Sequence, residues 1–305
     1  MNTITDSAKR ANVKLPVVEL MLLLVAVFWG TSYGLTKLAL LQTSVLIFIL
    51  IRFSITFLCM LPVMVRDFRR GLNKDWSTAI PSGLILSAIF FCEVYGVSQT
   101  TASNAAFLIS LSVILTAFAE MIINKGKISK WLWGMSCCSI TGVLLLTGQS
   151  ESSFSFNVGD SFILLAALLR AMMVTLTRRF SLGRSITTST LTALQSLVVA
   201  IIALIFVTFY LPQNQILLPT NSEFWLIIAY LVVFCTLFAF YVQNYAVRRT
   251  SPTRVSLLMG SEPLFGAIFA AIWLQEHLGF TQIVGGSLIL PVSYTHLTLP
   301  TNREV

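Results

Sequence analysis

The feature that most constrains this chain is a series of continuous apolar runs, most of them long enough to cross a lipid bilayer as a helix. A membrane-spanning helix needs about 20 predominantly apolar residues. The runs do not alternate apolar and polar residues as membrane β-strands do. They therefore predict an all-α integral membrane protein. The ten predicted spans are 18–41, 44–65, 78–98, 104–123, 131–149, 159–177, 187–211, 223–246, 254–274 and 281 to about 290.

Composition points to the same class. Only 10% of the residues are charged and 56% are hydrophobic, whereas soluble domains carry about 25% charged residues. The five cysteines all lie inside apolar runs and lack the spacing of metal ligands. We interpret them as small buried hydrophobic residues and expect no metal and no cofactor.

The positive charges predict the orientation of the chain. Of 20 Lys and Arg residues, 16 lie in the N-terminal tail or at the second, fourth, sixth and eighth loops, and the odd-numbered loops contain none. Loops rich in Lys and Arg stay in the cytoplasm. We therefore expect a multi-pass protein of the bacterial inner membrane with a cytoplasmic N-terminus. The net charge of +8 then reflects topology, and we expect no nucleic-acid partner.

An internal repeat is visible when the sequence is shifted by 150 residues. The stretch 93–100 then lies over 243–250, with Tyr, Val and Thr coinciding and Glu93 opposite Gln243. Five spans per half is an odd number, so the second half must enter the membrane inverted. Inverted repeats are typical of secondary transporters. The predicted divisions are a cytoplasmic tail at 1–17, five-helix repeats at 18–149 and 159–290, and a separate tail at 291–305.

The C-terminal tail does not continue the helical pattern. Residues 291–302 read Pro-Val-Ser-Tyr-Thr-His-Leu-Thr-Leu-Pro-Thr-Asn. Back-translated, they resemble a transposase adapter used in sequencing libraries. We therefore expect this tail to be non-native and the tenth helix to be truncated near Leu290.

Several motifs along the chain together resemble one family. They are Phe28–Tyr33, Arg52-Phe53, Thr101–Ala106, Gly159-Asp160, Gln243–Thr253, Glu262-Pro263 and Glu276–Leu278. With these motifs the sequence is similar to EamA-type members of the drug/metabolite transporter superfamily over nearly all of 18–290. The resemblance implies ten helices in two inverted halves, both termini in the cytoplasm, and export or exchange of amino acids, related metabolites or drugs. Two stretches depart from the family pattern, 112–114 where a Pro is usual and 124–126 where a Glu is usual.

Ionisable side chains inside spans are the first candidates for a functional site, because a charge at the bilayer centre costs about 2.5–3.5 kcal/mol on insertion scales. Glu262 lies near the middle of its span, and Pro263 favours a kink there. We expect it to be the coupling residue. Arg170 and Arg52 lie inside the sixth and second spans. We expect each of them to form a structural ion pair with Glu93 or Glu262. The full set of substrate or coupling-ion candidates is Glu262, Glu93, Gln243, Arg170, Arg52, Trp29, Tyr95 and Asn244.

The predicted function is secondary transport of amino-acid-like or drug-like molecules. The chain contains no Walker loop and no His-Glu-x-x-His pattern, so neither direct ATP drive nor zinc chemistry is indicated. Protons are a candidate coupling ion, and a homodimer is a candidate assembly. A lipid-linked sugar flippase, a transmembrane enzyme and a structural membrane subunit stay open as alternatives.

Overall fold

The computed structural model describes residues 15–100, 102–125, 157–212 and 218–273, together with isolated positions between 133 and 142 and between 280 and 288. Within these residues the regular elements are all helices. They are α1 (Leu15–Leu40), α2 (Val45–Arg69), α3 (Ala79–Gln99), α4 (Ala102–Ser110), α5 (Ser112–Ile123), α6 (Val158–Ser181), α7 (Thr188–Tyr210), α8 (Ser222–Val232), a π-helical turn (Val233–Phe238), α9 (Ala239–Val247), α10 (Pro252–Met259) and α11 (Glu262–Trp273).

Six of the described helical segments are long and apolar enough to cross a membrane. They match the first, second, third, sixth, seventh and eighth predicted spans, so the chain is a multi-pass helical membrane protein. The fifth and tenth predicted spans and the C-terminal tail lie largely outside the described residues. The six segments are Val17–Leu40, Val45–Arg69, Trp76–Gln99, Val158–Ser181, Thr188–Tyr210 and Ser222–Val247.

Side-chain caps fix where several helices begin. At α6, the Asn157 side chain accepts from the Asp160 N–H, and the Asp160 carboxylate accepts from the Asn157 N–H, both at 3.0 Å. This reciprocal pair is a capping box. Thr187 caps α7, and Ser251 caps α10 just before Pro252. These caps satisfy backbone N–H groups that have no partner inside their own helix.

The predicted fourth and ninth spans are not continuous helices. The break in the ninth agrees with the kink expected at Pro263, whereas the break in the fourth was not predicted. The fourth breaks at Leu111, between α4 and α5, and the ninth breaks at Gly260 and Ser261, between α10 and α11. Pro263 explains the second break, because a proline lacks the N–H donor and its ring clashes with the carbonyl four residues earlier. The two breaks pack together, since a Cβ on Gly260 would lie 2.7 Å from Cγ2 of Val113.

Glycines allow two pairs of helices to approach closely. A Cβ on Gly30 of α1 would lie 2.7 Å from both the Glu262 carbonyl oxygen and the Gly266 nitrogen of α11. A Cβ on Gly96 of α3 would lie 2.7 Å from Ile163 of α6. Small residues let helix backbones come together in a membrane, where packing replaces the hydrophobic effect as the main attraction. The resulting contacts hold α1 on α11 and α3 on α6.

The outer surface is strongly apolar. Large hydrophobic side chains such as Phe209, Leu226 and Ile122 are more than 70% exposed. Soluble monomers rarely carry apolar patches of this kind over a wide area. Lipid is the solvent that suits this surface, in agreement with the spans.

Candidate functional site

A cavity lies between the helices and brings together six of the eight predicted site residues. Its empty volume, which includes space open to the surroundings, is about 380 Å³. The predicted residues in its lining are Trp29, Arg52, Glu93, Arg170, Gln243 and Glu262. The remaining lining residues are Leu86, Ile89, Phe90, Met173 and Phe240.

Glu262, the first residue of α11, is held by two partners. The hydroxyl of Tyr33 donates to Glu262 Oε1 at 2.6 Å, and Arg170 Nη2 donates to Glu262 Oε2 at 3.2 Å. Tyr33 and Glu262 are each only 4% exposed. A buried carboxylate is tolerated when it is paired and hydrogen-bonded, as it is here. Its position at the helix break places it beside the cavity instead of within an uninterrupted helix.

Arg170 connects this carboxylate to an aromatic ring. Its guanidinium carbon lies 4.1 Å from the centre of the Trp29 ring, within the range of a cation–π interaction. Trp29 is itself fixed, because its Nε1 donates to the Cys235 carbonyl at 2.8 Å. The expected pairing of Arg170 with Glu262 is confirmed, and Trp29 supplies a second contact that was not foreseen.

Arg52 is held by the π-helical turn and not by a carboxylate, which corrects the expected pairing. Its Nε donates to Thr236 Oγ1 at 2.8 Å, and its Nη2 donates to the Cys235 carbonyl at 3.5 Å. Thr236 in turn donates to the Leu231 carbonyl at 2.8 Å. The Cys235 carbonyl in this π turn accepts from side chains of both α1 and α2. The turn therefore orients both Trp29 and Arg52 at the cavity.

Glu93 and Gln243 line the cavity with acceptor atoms that make no hydrogen bond to the part of the chain that the structure describes. Gln243 is 2% exposed, and its buried Oε1 has no hydrogen bond. Within the described part of the chain, no hydrogen bond or ion pair involves the Glu93 carboxylate. The two residues occupy equivalent positions in the proposed repeat and lie on helices α3 and α9. Both acceptors are therefore available to a bound molecule.

Two predicted site residues lie elsewhere. Tyr95 is 40% exposed and packs edge-on against Phe162. Asn244 is buried among polar groups, where its amide donates to Thr192 Oγ1 at 2.9 Å and to Gln195 Oε1 at 2.7 Å. The structure thus gives Asn244 helix-to-helix hydrogen bonds and does not bring either residue to the cavity.

Helical spacing could have found several cavity residues that the sequence analysis missed. Positions three, four and seven apart share a helix face, and Glu93 lies three, four and seven positions after three apolar lining residues. The same rule joins Met173 to Arg170 and Phe240 to Gln243. The three apolar residues before Glu93 are Leu86, Ile89 and Phe90.

The Arg170–Glu262 pair also borders a second cavity. Both residues line an empty volume of about 300 Å³ at the two helix breaks. The other polar side chains there are the hydroxyls of Ser110, Ser112 and Ser256. The buried Arg170–Glu262 ion pair thus borders both cavities.

Comparison with known protein families shows that one family matches this chain twice, in two consecutive segments. The EamA-like transporter family matches residues 17–148 and again 157–294. The chain belongs to the EamA-like transporter family. This confirms the resemblance seen in the sequence and identifies the chain as a membrane transporter. A transporter of this kind implies a small-molecule substrate and a lipid bilayer around the helices.

Several relatives and one solved structure cover most of this family member. An uncharacterized transporter of Archaeoglobus fulgidus is 27% identical over 272 residues, 89% of this chain and 83% of the relative. The uncharacterized transporter YyaM of Bacillus subtilis is 24% identical, covering 90% and 91% of the two chains. A crystal structure of a protein matches with a TM-score of 0.73 and 16% identity, covering 92% and 96%; it shows a shared fold.

Proposed function

We propose that this family member is a proton-coupled secondary transporter that exports or exchanges a small metabolite by alternating access, with Glu262 as the coupling residue. The observation that carries the proposal is the buried Arg170–Glu262 ion pair between two cavities. Ionisable groups inside a membrane protein commonly mark substrate or proton pathways. The bacterial inner membrane, with both termini in the cytoplasm, is the proposed location.

The proposed architecture is two inverted five-helix halves. It is supported by the two adjacent family matches, 17–148 and 157–294. It is also supported by the helix breaks, because Leu111 and Ser261 are 150 positions apart, the same offset that aligns Glu93 with Gln243. Broken helices near the midplane are typical of secondary transporters, where they form the substrate and ion sites.

Coupling follows from the partners of Glu262. While ionised, the carboxylate accepts from Tyr33 and balances the charge of Arg170. Protonation would remove that balancing charge, while arginine keeps its own proton. Arg170 would then be free to turn toward the cavity or a bound molecule. A proton bound in one state and released in the other would link the two conformations without ATP.

The experiment is transport by the purified full chain in liposomes with an imposed pH gradient. The vesicles are incubated with a panel of amino acids, amines and carboxylic acids, and the retained compounds are measured by mass spectrometry. We expect at least one compound to accumulate in a manner that a protonophore abolishes. Glu262→Gln should abolish this gradient-driven accumulation.

Glu223→Gln is the matched control, since Glu223 is an exposed carboxylate at the start of α8, away from the cavity. It should leave accumulation unchanged. Gradient-driven accumulation that persists in folded Glu262→Gln would reject Glu262 as the coupling residue. Absence of flux for every compound with the unmodified chain would count against proton-coupled transport itself.

A further inference from the structure

We propose that Glu93 and Gln243 form a subsite for an ammonium group, so that the transported molecule is a small amine with a compact apolar body. This inference rests on the proposed function, because it names the ligand class of the same cavity. It assigns a role to two residues on opposite halves of the chain.

The first argument is the excess of free acceptors. Gln243 Oε1 is buried in the cavity lining without a donor. The Glu93 carboxylate makes no hydrogen bond or ion pair among the described residues, and the charges of Arg170, Glu262 and Arg52 act on it from beyond ion-pair distance. A buried acceptor that lacks a donor is unfavourable, so a site of this kind gains when a ligand supplies N–H groups. An ammonium offers up to three donors and no acceptor. It can therefore satisfy a carboxylate and an amide oxygen together.

The second argument is that the two arginines are already engaged. Arg170 is bound by Glu262 and lies over Trp29. Arg52 donates to Thr236 and Cys235, and its guanidinium carbon lies 5.1 Å from the Phe90 ring centre. A carboxylate ligand would have to displace these contacts. An ammonium at Glu93 would leave all of them in place.

The third argument is the apolar part of the lining. Five hydrophobic side chains complete the cavity wall, two of them phenylalanines. Such a wall favours a compact apolar body, and the polar groups fix its orientation. The chemistry expected of the ligand is therefore one cationic nitrogen attached to a hydrocarbon or aromatic group. The five side chains are Leu86, Ile89, Phe90, Met173 and Phe240.

The test is calorimetric binding to the purified full chain in lipid nanodiscs, with four probes of similar size. They are 2-phenylethylammonium, 2-phenylethanol, 3-phenylpropionate and L-phenylalanine. We expect the ammonium to bind about tenfold more tightly than the alcohol, because a hydrogen bond to a charged group is worth about a factor of ten or more. The propionate and the amino acid should bind more weakly than the ammonium.

Variants assign the effect to the two residues. Glu93→Gln should remove the preference for ammonium, so that 2-phenylethylammonium and 2-phenylethanol bind with similar affinity. Binding of 2-phenylethanol that is still measurable shows that the cavity is folded. Gln243→Met should weaken ammonium binding to a smaller extent, because it removes a neutral acceptor. The control Glu223→Gln should change neither affinity.

The proposal is overturned if the propionate or the alcohol binds as tightly as the ammonium, if Glu93→Gln retains the preference, or if none of the four probes binds. These results are independent of flux. Proton-driven transport of an anion in liposomes would reject the ammonium subsite and leave the transporter in place. Ammonium binding at Glu93 without any flux would support the ammonium subsite and count against the proposed transport.

Discussion

Arg170 and Glu262 are paired across 3.2 Å in the interior of the bundle, with 12% and 5% of their side-chain surfaces exposed. The pair joins α6 to the first turn of α11, beside the break in the ninth predicted span. Its location makes it a structural element as well as the proposed coupling unit. Stability and transport measurements can separate these two roles.

The stability role is tested with Arg170→Met, Glu262→Gln and the double variant. Each single change leaves a buried charge or strong polar group without its partner, which costs about 3–5 kcal/mol for a buried pair. The double variant removes both charges and should cost clearly less than the sum. Unfolding of the purified protein in detergent measures this. A double variant as unstable as the sum of the singles would mean that the pair contributes no coupling energy.

The role of the π turn is tested at Thr236. Thr236→Val removes the acceptor of the Arg52 Nε while keeping the side-chain shape, and a hydrogen bond to a charged group contributes about 1.5–3 kcal/mol. We expect lower thermal stability and a higher KM for the transported compound. Thr236→Ser keeps the hydroxyl and should retain most of both. Equal behaviour of the two variants would show that the hydroxyl does not position Arg52.

Helix approach is tested at Gly30. A Cβ there would lie 2.7 Å from backbone atoms of α11, and backbone cannot move aside as a flexible side chain can. Gly30→Ala should therefore destabilise the protein by about 1–3 kcal/mol or more. Gly34→Ala on the same helix is the control, because its nearest neighbour is Phe269 Cε1 at 4.0 Å. Its melting temperature should be unchanged or higher, and similar losses for both would contradict the packing argument.

The proposed orientation is tested with reporter fusions after residue 70 and after residue 155. The first position follows two predicted spans in a loop rich in arginine, and the second follows five spans in a loop without Lys or Arg. The positive-inside rule therefore predicts a cytoplasmic reporter at the first position and an external one at the second. Reporters on the same side would reject the ten-span topology.

The long spans could be predicted because bilayer thickness imposes a length on every apolar helix, and this signal needs no tertiary information. The buried charges could be selected for the same reason, since each one is costly wherever it lies. Six of the selected side chains meet at one cavity. Each of them is a polar or aromatic side chain within an apolar run, which marks it as a candidate. Spacings of three or four residues then indicate which side chains share a helix face.

The pairing of Arg170 with Glu262 was within reach of the sequence, but the partners of Arg52 could not be predicted. Arg52 binds Thr236, which is 184 positions away, so the contact depends on how two helices distant in the sequence pack together. The break at Leu111 lacks a proline and packs against the break at Gly260, so it depends on the tertiary contact. Asn244 is adjacent to Gln243 in sequence yet faces α7. The rotation of a helix about its own axis determines which of two adjacent side chains faces the cavity. The sequence alone carries little information about that rotation.

The π turn determines which side chains of the eighth span face the cavity and which face α7. An α-helix advances by about 100° per residue, and a π turn absorbs about one extra residue. The segment Ala239–Val247 is therefore rotated by about one position relative to an uninterrupted helix that starts at Ser222. If the same sequence formed an uninterrupted α-helix, Val242 would take the place of Gln243 at the cavity. Gln243 would then take the place of Asn244 against α7. The π turn thus places an amide at the cavity where an uninterrupted α-helix of the same sequence would place an isopropyl group.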